Sequence, residues 1–407
     1  MTIEMIQTEE FNQGTQIKVI GVGGGGGNAV EHMIERQVQG VEFICANTDA
    51  QALARSAAHR FVQLGQTGLG AGSKPDKGHE AAEAAEAAEA DIRAAIEGAH
   101  MLFITAGMGG GTGTGAAPVI AKIAKDMGIL TVGVVTKPFD FEGKRRMDNA
   151  DEGMKELEAN VDSLIVVLNE KLLELPGGED MTQDEAFSHA NDVLKNAVGG
   201  IAEIINVPGH VNVDFEDVRT VMGEPGKAMM GTAAASGPDR ARIAAEQAVA
   251  CPLLEGVDLK GARGVLVLIS AAKGSLKLSE SKQAMNTIRD CASEDAHVIY
   301  GTAYDESLGD QIRVTVVATG LTKAGARRTA PPLQVLRTGT DNAPFLMGGQ
   351  EAAASPMGAT AALGAAGMNT PAIWRSNRTH AAARVDGMAN AGMDDIEIPA
   401  FLRKQAD

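Results

Sequence analysis

Short apolar runs alternate with amphipathic segments between residues 17 and 169. Each run is a few residues long, which predicts six buried strands: IKVIGVG, VEFICANT, FVQLG, MLFITAGM, ILTVGVVT and SLIVVLN. The segments between them have helical spacing, as in NAVEHMIERQVQ (28–39) and the Ala/Glu-rich EAAEAAEAAEADIRAAIE (80–97). Because strands alternate with helices, we expect an α/β fold with a doubly wound, mainly parallel sheet.

A longer helical pattern, DEAFSHANDVLKNAVGGIAEIIN, occupies residues 184–206. Its apolar positions fall on more than one face, which is typical of a helix buried between two cores. Further strand patterns (GVLVLIS, HVIYGTA and IRVTVVATG) and helical patterns near 238–250 and 280–292 follow. We therefore expect a first domain at 17–183, a long central helix at 184–206 and a smaller α/β domain at 207–320.

The segments outside this body have a different composition. Residues 1–16 form a predicted N-terminal extension, and residues 394–407 a short acidic tail. Residues 321–393 are rich in Ala, Gly, Thr, Pro and Met, show no sustained period, and contain more basic than acidic residues. We interpret 321–393 as a disordered linker, and a third small domain is the alternative.

The composition argues against several classes of function. A net charge of −17 and only 3% aromatic residues disfavour a nucleic-acid-binding protein. The chain has no run of about 18 apolar residues, and its N-terminus lacks the apolar core of a secretory signal, so we expect no membrane insertion. Cys45, Cys251 and Cys291 are scattered, and the eight His residues form no metal-binding pair, so we expect neither disulfides nor a transition-metal site.

Two glycine-rich turns follow predicted strands. The first, GVGGGGGNAV (21–30), contains the dinucleotide-type spacing Gly-x-Gly-x-x-Gly, although a tight turn without a ligand is the alternative. The second, AGMGGGTGTGAAPVI (106–120), offers successive N–H groups and the hydroxyls of Thr112 and Thr114. Backbone N–H groups of this kind suit a phosphate chain. Since both turns end strands of one sheet, we expect a polyphosphate ligand at its carboxyl edge.

The heptapeptide GGGTGTG (109–115) is typical of the tubulin superfamily. Together with GGGGGNAVEHM, NTDAQAL, VVTKPFDFEGKRR and NVDFEDVRTVM, it makes residues 17–320 closely resemble the tubulin/FtsZ family of bacterial cell-division proteins. The resemblance implies a GTP-binding and GTP-hydrolysing first domain. It also implies head-to-tail polymerisation into a division ring, in the cytoplasm beneath the inner membrane. One departure is the loop 65–78, which is a few residues shorter than in familiar relatives.

The resemblance also implies which residues contact GTP or GDP. Glu142 resembles the family's ribose-binding carboxylate, Arg146 its nucleotide-binding cation and Phe187 the ring that stacks on guanine. By the residues alone, 144–146 could be a solvated basic run and Phe187 a core residue. Mg²⁺ is expected to lie mainly on the phosphates, with no dedicated metal site on the protein. The remaining expected contacts are Gly24, Gly25, Gly26, Gly27, Asn28, Gly109, Gly110, Gly111, Thr112, Gly113, Thr136 and Asn191.

A pair of carboxylates stands out in the segment NVDFEDV. By spacing alone, Asp214 is an N-cap and Asp217 lies in the first turn of a helix, where both favour the helix dipole. The family resemblance implies a different role for the same segment, which is similar to a loop that reaches the nucleotide of the neighbouring subunit. Asp214 and Asp217 would then orient water at the γ-phosphate, and Asn212 would help to position it.

The C-terminal tail is a second candidate site. Apolar residues alternate there with charges, and although this could be a frayed terminus, exposed apolar residues at a chain end favour a partner groove. The tail resembles the family's docking peptide for membrane tethers such as FtsA and ZipA and for division regulators. The residues concerned are Asp395, Ile396, Ile398, Pro399, Phe401 and Leu402.

Two other functions fit parts of the sequence. A dehydrogenase would use the first glycine turn and Asp49 after the second strand. The second glycine turn and the lack of an evident catalytic His/Lys pairing argue against it. A GTP-binding scaffold that does not hydrolyse its ligand is the other alternative, and the acids of NVDFEDV argue against that one.

Overall fold

The structure, a computed structural model, describes residues 14–65, 78–174, 181–206, 211, 213–224, 226–251, 261–293 and 295–321. The interior of the loop 65–78, Asn212, residues 322–393 of the predicted linker, the tail and most of the N-terminal extension lie outside the described residues. Leu321, predicted as the first linker residue, is the last residue of a strand. Among the residues described, no helix is both long enough and apolar enough to cross a membrane.

The described part of the chain contains ten strands and ten α-helices. In chain order they are β1 Ile17–Val22, α1 Gly23–Glu35, β2 Val41–Asn47, α2 Ala50–Arg55, β3 Arg60–Gln63, α3 Gly78–Ala87, α4 Glu89–Ile96, β4 Met101–Gly107, α5 Thr112–Asp126, β5 Leu130–Lys137, α6 Lys144–Asn160, β6 Ser163–Leu168, α7 Gln183–Asn206, α8 Phe215–Met222, β7 Lys227–Ala235, α9 Arg240–Val249, β8 Gly264–Ala271, α10 Leu278–Cys291, β9 His297–Tyr304 and β10 Ile312–Leu321. Short 3₁₀ turns lie at Asp140–Glu142, Asn169–Leu172 and Glu306–Leu308.

The ten strands form one sheet in the order β3-β2-β1-β4-β5-β6-β7-β10-β8-β9. The first six strands pair in parallel, which confirms the expected mainly parallel sheet. β7 joins them through only two residue pairs, Leu164 with Lys227 and Ile165 with Ala228. Beyond that short junction β10 is antiparallel to β7 and to β8, and β8 is parallel to β9. The sheet is therefore continuous but narrow between its six-stranded and four-stranded parts.

Helices cover both faces of the six-stranded part, which explains its nearly unbroken apolar strands. In β1, Val19 packs into the core on the side of α1 and α7, and Ile20 into the core on the side of α5. The central helix α7 contributes Leu194 and Ile201 to a core that also contains Leu268 of β8. The central helix is therefore buried against strands of both parts of the sheet, within one continuous core and not between two separate ones.

Three local predictions differ from the structure. α1 begins at Gly23 rather than at residue 28, so the glycine run itself forms the first helical turns. The segment predicted as one helix at 80–97 is divided at Ala88 into α3 and α4. β7 was not predicted because KAMMGTAAA contains few strand-favouring residues. It forms a strand because β6 and β10 hydrogen-bond it from both sides, so tertiary context outweighs its propensity.

Candidate nucleotide site

A cavity of about 360 Å³ lies at the carboxyl ends of β1, β4 and β5, where the two glycine turns meet. This is the edge at which a parallel sheet usually binds its ligand. Twelve of the residues expected to contact a nucleotide line it: Gly24, Gly25, Asn28, Gly110, Gly111, Thr112, Gly113, Thr136, Glu142, Arg146, Phe187 and Asn191. Gly26, Gly27 and Gly109 do not line the cavity.

The first glycine turn points the N-terminus of α1 at the cavity. Gly23 has φ +71°, a conformation that favours glycine, and Val22 at the N-cap makes no side-chain capping bond. The first N–H groups of α1 therefore have no side-chain cap to satisfy them. Gly26 has a packing role, because a Cβ there would overlap the carbonyl oxygen of Thr105 in β4. This close contact holds α1 against the sheet.

The second glycine turn points the N-terminus of α5 at the same cavity. Gly109 has φ +90°, and its N–H donates to Thr114 Oγ1 at 2.9 Å, which closes the turn. A Cβ at Gly109 would lie 2.6 Å from the carbonyl oxygen of Arg146, so only glycine fits beneath α6. Gly111 at the N-cap of α5 makes no side-chain capping bond. Two helix N-termini thus point at one cavity, an arrangement that favours a multiply charged anion.

Thr112 begins α5 with its hydroxyl inside the buried wall of the cavity. Its Oγ1 lies 2.9 Å from Oγ1 of Thr48, in the loop after β2. A hydroxyl can donate and accept, so Thr112 can also contact a ligand oxygen. Asp49 also borders the cavity, and its carboxylate accepts from the N–H of Gln51 as the N-cap of α2.

Glu142 and Arg146 form a polar wall of the cavity. Glu142 accepts from the N–H of Phe139 at 3.0 Å through Oε1, and from Arg146 Nη1 at 2.6 Å through Oε2. The Nε of Arg146 is buried and makes no hydrogen bond. A buried donor without a partner is unfavourable, and it suits a ligand that supplies an acceptor.

An aromatic side chain, that of Phe187, lines the other end of the cavity. Phe187 of α7 is 37% exposed, and its ring meets Phe139 edge-on with centroids 5.5 Å apart. The alternative of an ordinary core residue does not fit that exposure. Phe141 stacks on Phe139 at 5.2 Å and is 66% exposed. A flat ring with an open face beside the cavity suits a planar ligand group.

Asn169 lines the same end of the cavity and was not predicted. It is 4% exposed, and its Oδ1 makes no hydrogen bond. A buried amide oxygen beside a cavity is a ready acceptor for a ligand donor. The signal was present in the sequence, because Asn169 directly follows the apolar run of β6, and Asn47, which also lines the cavity, ends β2 in the same way.

Asn191 and Asp192 are neighbours on α7 but face different surroundings. Asn191 lines the cavity. Asp192 Oδ1 lies 2.8 Å from Nε2 of His32 on α1 and 3.9 Å from Nη2 of Arg36, the C-cap of that helix. The amide is therefore the group at the cavity, and the carboxylate is occupied by α1.

The two candidate acids lie away from the cavity. Asp214 is the N-cap of α8, and its Oδ1 accepts from the N–H of Asp217 at 2.8 Å, so the capping role is present in the structure. Both residues are exposed, and neither lines the cavity. Phe215, between them, contacts His100, which immediately precedes β4. The acids are therefore near the amino edge of the parallel strands, opposite the cavity.

Comparison with known proteins agrees with this geometry. Residues 16–177 match the model of the Tubulin/FtsZ family, GTPase domain, and residues 226–322 that of the FtsZ family, C-terminal domain. The cell division protein FtsZ of Pseudomonas aeruginosa is 52% identical over 404 residues, covering 98% of this chain and 99% of the relative. The chain belongs to the tubulin/FtsZ family. The FtsZ of Coxiella burnetii is 56% identical over 337 residues, covering 82% of this chain and 86% of the relative.

Solved structures of the tubulin/FtsZ family share the fold. An empty FtsZ dimer of M. jannaschii superposes with a TM-score of 0.71 at 40% identity, covering 79% of this chain and 97% of the other. CetZ2 of Haloferax volcanii, solved as a GTPγS-bound protofilament, gives a TM-score of 0.63 at 21% identity, covering 76% and 94%. At that identity the likeness shows the fold alone.

Membership of the tubulin/FtsZ family establishes the activity. The chain is a GTP-binding and GTP-hydrolysing cytoskeletal protein of cell division that self-associates. The dehydrogenase and the scaffold without hydrolysis are excluded as its function. Within the described residues, no group of three or more His, Cys, Asp or Glu side chains is placed to hold a metal ion.

Proposed function

We propose that GTP binds in the cavity with its phosphates at the two glycine turns and its base at the aromatic end. The N-termini of α1 and α5 donate to the phosphates, and the buried Nε of Arg146 donates to an acceptor of the nucleotide. Phe187 offers its open face to guanine, and the amides of Asn28 and Asn191 bind the base edge. Glu142 binds the ribose, and it also orients Arg146.

Hydrolysis requires a second copy of the chain, which supplies Asp214 and Asp217, with Asn212 beside them. The observation that carries this proposal is the separation of acids and cavity on opposite edges of one sheet. Asn206, at the far end of α7, supports it, because its Nδ2 donates to the carbonyl of Gly40 before β2, again at the amino edge. A head-to-tail contact brings the acids of one copy to the phosphates of the next.

The exposed ring of Phe141 supports a contact between copies at the cavity mouth. A large apolar side chain that is 66% exposed beside a ligand site is well suited to a protein interface. Burying this ring on assembly would also close the cavity to solvent and strengthen the electrostatic interactions within it.

Mg²⁺ would be bound mainly by the phosphates and by water. Glu142 is already engaged by Arg146 and by a backbone N–H, and Asp49 caps α2. The side-chain groups that remain as ligands for the ion near the phosphates are hydroxyl and amide oxygens, and Mg²⁺ prefers oxygen ligands. The ion would neutralise charge on the phosphates during hydrolysis.

The remaining parts of the proposal come from the sequence. We assign residues 17–183 to the GTP-binding domain, 184–206 to the central helix and 207–320 to the C-terminal domain, between an extension at 1–16 and a linker at 321–393. The tail 394–407 docks to membrane tethers of the FtsA and ZipA kind and to division regulators. The tail thereby concentrates the protein at the division site beneath the inner membrane.

A mixing experiment tests the shared site. Asp214→Ala removes the acid, and Gly110→Asp places a carboxylate at the phosphates without a steric clash, because a Cβ at Gly110 meets nothing within 4 Å. Each variant alone should hydrolyse GTP roughly 10²-fold more slowly or worse. Mixed, they should recover part of the rate, because the nucleotide of the first meets the acid of the second.

The control for the mixture is the double variant Asp214→Ala/Gly110→Asp, which cannot supply an acid. Mixed with Asp214→Ala it should give no recovery. Co-sedimentation must show that both partners enter the same filaments. If they co-assemble and phosphate release stays at the level of the separate variants, Asp214 does not act between subunits.

A truncation tests the tail. Removal of residues 394–407 should leave GTP hydrolysis and sedimentation with GTP unchanged and abolish recruitment to vesicles that carry a purified tether. Loss of sedimentation in the truncated protein would mean that the tail belongs to the polymer contact instead.

A further inference from the structure

Two adjacent residues of α7 could each contact a purine, but only one of them lines the cavity. Successive residues of an α-helix are rotated by about 100°, so Asn191 and Asp192 cannot share one direction. Asn191 lines the cavity, whereas Asp192 Oδ1 is 2.8 Å from His32 Nε2 and 3.9 Å from Arg36 Nη2. The rotation of α7 about its own axis therefore determines which of the two residues lines the cavity, and a contact that fixes this rotation would fix the residue at the cavity.

His32 of α1 is placed to fix the rotation of α7, because it contacts Asp192. It lies one helical turn after Asn28 on α1, and residues four apart share a helix face. Asn28 lines the cavity, so one face of α1 carries Asn28 at the cavity and His32 against Asp192 of α7. The His32 side chain is 12% exposed and that of Asp192 34%, so the contact is partly shielded from water.

We propose that His32 is a positioning residue for base recognition. By holding Asp192 against α1, it fixes α7 so that the amide of Asn191, not a carboxylate, meets the base. The proposal rests on the base contact of Asn191 proposed above. It adds a residue outside the cavity to the determinants of nucleotide specificity.

The chemistry of the base explains why the choice matters. The Watson–Crick edge of guanine presents N1–H and the 2-amino group as donors and O6 as an acceptor. An amide can accept from N1–H or the 2-amino group and can donate to O6, whereas a carboxylate can accept from the two donors but cannot donate to O6. If α7 can turn or shift, the amide loses its alignment with the 2-amino group. The preference for guanine over hypoxanthine, which lacks that group, should then fall.

The test compares GTP with inosine triphosphate, measured by displacement of a fluorescent GDP analogue below the assembly concentration. In His32→Leu the ratio of the two affinities should fall roughly tenfold, the effect of one lost hydrogen bond. At saturating GTP, kcat in filaments should stay within about twofold. His32→Gln should restore the ratio, because its amide N–H can donate to Asp192. Asp192→Ala should reproduce His32→Leu, and it serves as the test if His32→Leu does not fold.

Asn191→Ala separates this proposal from the one on which it rests. If Asn191→Ala lowers the ratio and neither His32→Leu nor Asp192→Ala does, the base contact stands and the role of His32 is overturned. If Asn191→Ala leaves the ratio unchanged, the base contact itself fails, and the role of His32 fails with it. Equal weakening of both nucleotides in His32→Leu would show a structural role only and would also overturn the proposal.

Discussion

The ring of Phe215 lies edge-on against His100, with centroids 6.1 Å apart and planes at 65°. This contact joins the start of α8, which carries the acids, to the start of β4, whose other end leads into the second glycine turn. A strand of seven residues spans about 23 Å. The acids and the phosphate site of one chain are therefore held at least a strand length apart, and movement of a side chain cannot bring them together.

The two roles of Asp214 can be separated by substitution. Asn is as good an N-cap as Asp, so Asp214→Asn should keep the bond from the N–H of Asp217 and change the free energy of unfolding by only a few tenths of a kcal/mol. Asp214→Ala should lower the free energy of unfolding by about 1 kcal/mol. Both should hydrolyse GTP roughly 10²-fold more slowly or worse, since both lack the carboxylate.

Urea unfolding measures the change in stability, and phosphate release above the assembly concentration measures the rate of GTP hydrolysis. Wild-type turnover in Asp214→Asn would mean that the side chain acts only as a cap.

Neighbouring glycines of the first turn should respond oppositely to alanine. A Cβ at Gly26 overlaps the carbonyl oxygen of Thr105, and neither backbone can move without disturbing the sheet. Gly26→Ala should therefore lower the free energy of unfolding by about 3 kcal/mol and weaken GDP binding. A Cβ at Gly27 meets nothing within 4 Å, so Gly27→Ala should leave stability unchanged or raise it by up to about 1 kcal/mol.

Denaturant unfolding of the two variants without nucleotide makes this comparison. Equal stability of the pair would show that α1 does not depend on its close contact with β4.

Arg146 should not be replaceable by lysine. Its Nη1 donates to Glu142 while its buried Nε is left for the ligand, and a lysine ammonium cannot fill both places. Arg146→Lys should weaken GDP binding about tenfold and change the free energy of unfolding by less than about 1 kcal/mol. The matched control is Arg145→Lys, because Arg145 immediately precedes Arg146 and does not line the cavity.

Calorimetric titration with GDP measures the affinities. Similar losses in the two variants would show that only the net charge of the segment matters.

The sequence predicted the six parallel strands well because their apolar runs are short and bounded by glycine or polar residues. It missed β7, whose strand conformation depends on pairing with β6 and β10 and not on its own composition. The start of α1 was also misplaced, because helix propensity argues against a glycine run. Among those glycines, Gly23 and Gly26 lie too close to α5 and β4 to carry a side chain, so close packing outweighs their low helix propensity.

Some parts of the candidate site could be predicted from the sequence and others could not. The glycine turns could be recognised from local sequence, since they act through their own backbone. Asn169 could have been found in the same way, as the polar residue that follows the apolar run of β6. His32 acts only through Asp192, which the fold brings beside it and which no local pattern indicates. The adjacent residues Asn191 and Asp192 show the limit clearly, because the packing of α7 on α1 and on the sheet decides which of them lines the cavity.

A buried ion pair should control stability in acid. Arg240 donates through Nε and Nη2 to the two oxygens of Glu280, at 2.8 and 3.0 Å, and both side chains are buried. The hydrogen bond from Arg240 holds the pKa of Glu280 below its ordinary value, even though burial acts in the opposite direction. Since the pKa of Glu280 is lower in the folded chain, the unfolded chain binds more protons as the pH falls. The stabilisation is therefore complete above the unfolded pKa, near 4.5, and is lost as the pH falls through the folded pKa.

Glu280→Gln removes this titration while keeping the size of the side chain. At pH 7 it should lower the free energy of unfolding by about 3 kcal/mol, because the buried guanidinium loses its countercharge. Below about pH 4.5 the difference from wild type should begin to shrink, because Glu280 of the unfolded wild-type chain then binds a proton. The difference should be lost once the pH falls through the lower pKa of Glu280 in the folded chain. Replacing both partners, as in Arg240→Met/Glu280→Met, should recover much of the loss at pH 7, since no buried charge is left unpaired. Urea unfolding of the three proteins at pH 7 and pH 4 measures these differences. A gap between wild type and Glu280→Gln that is the same at both pH values would mean that Glu280 does not contribute through its charge.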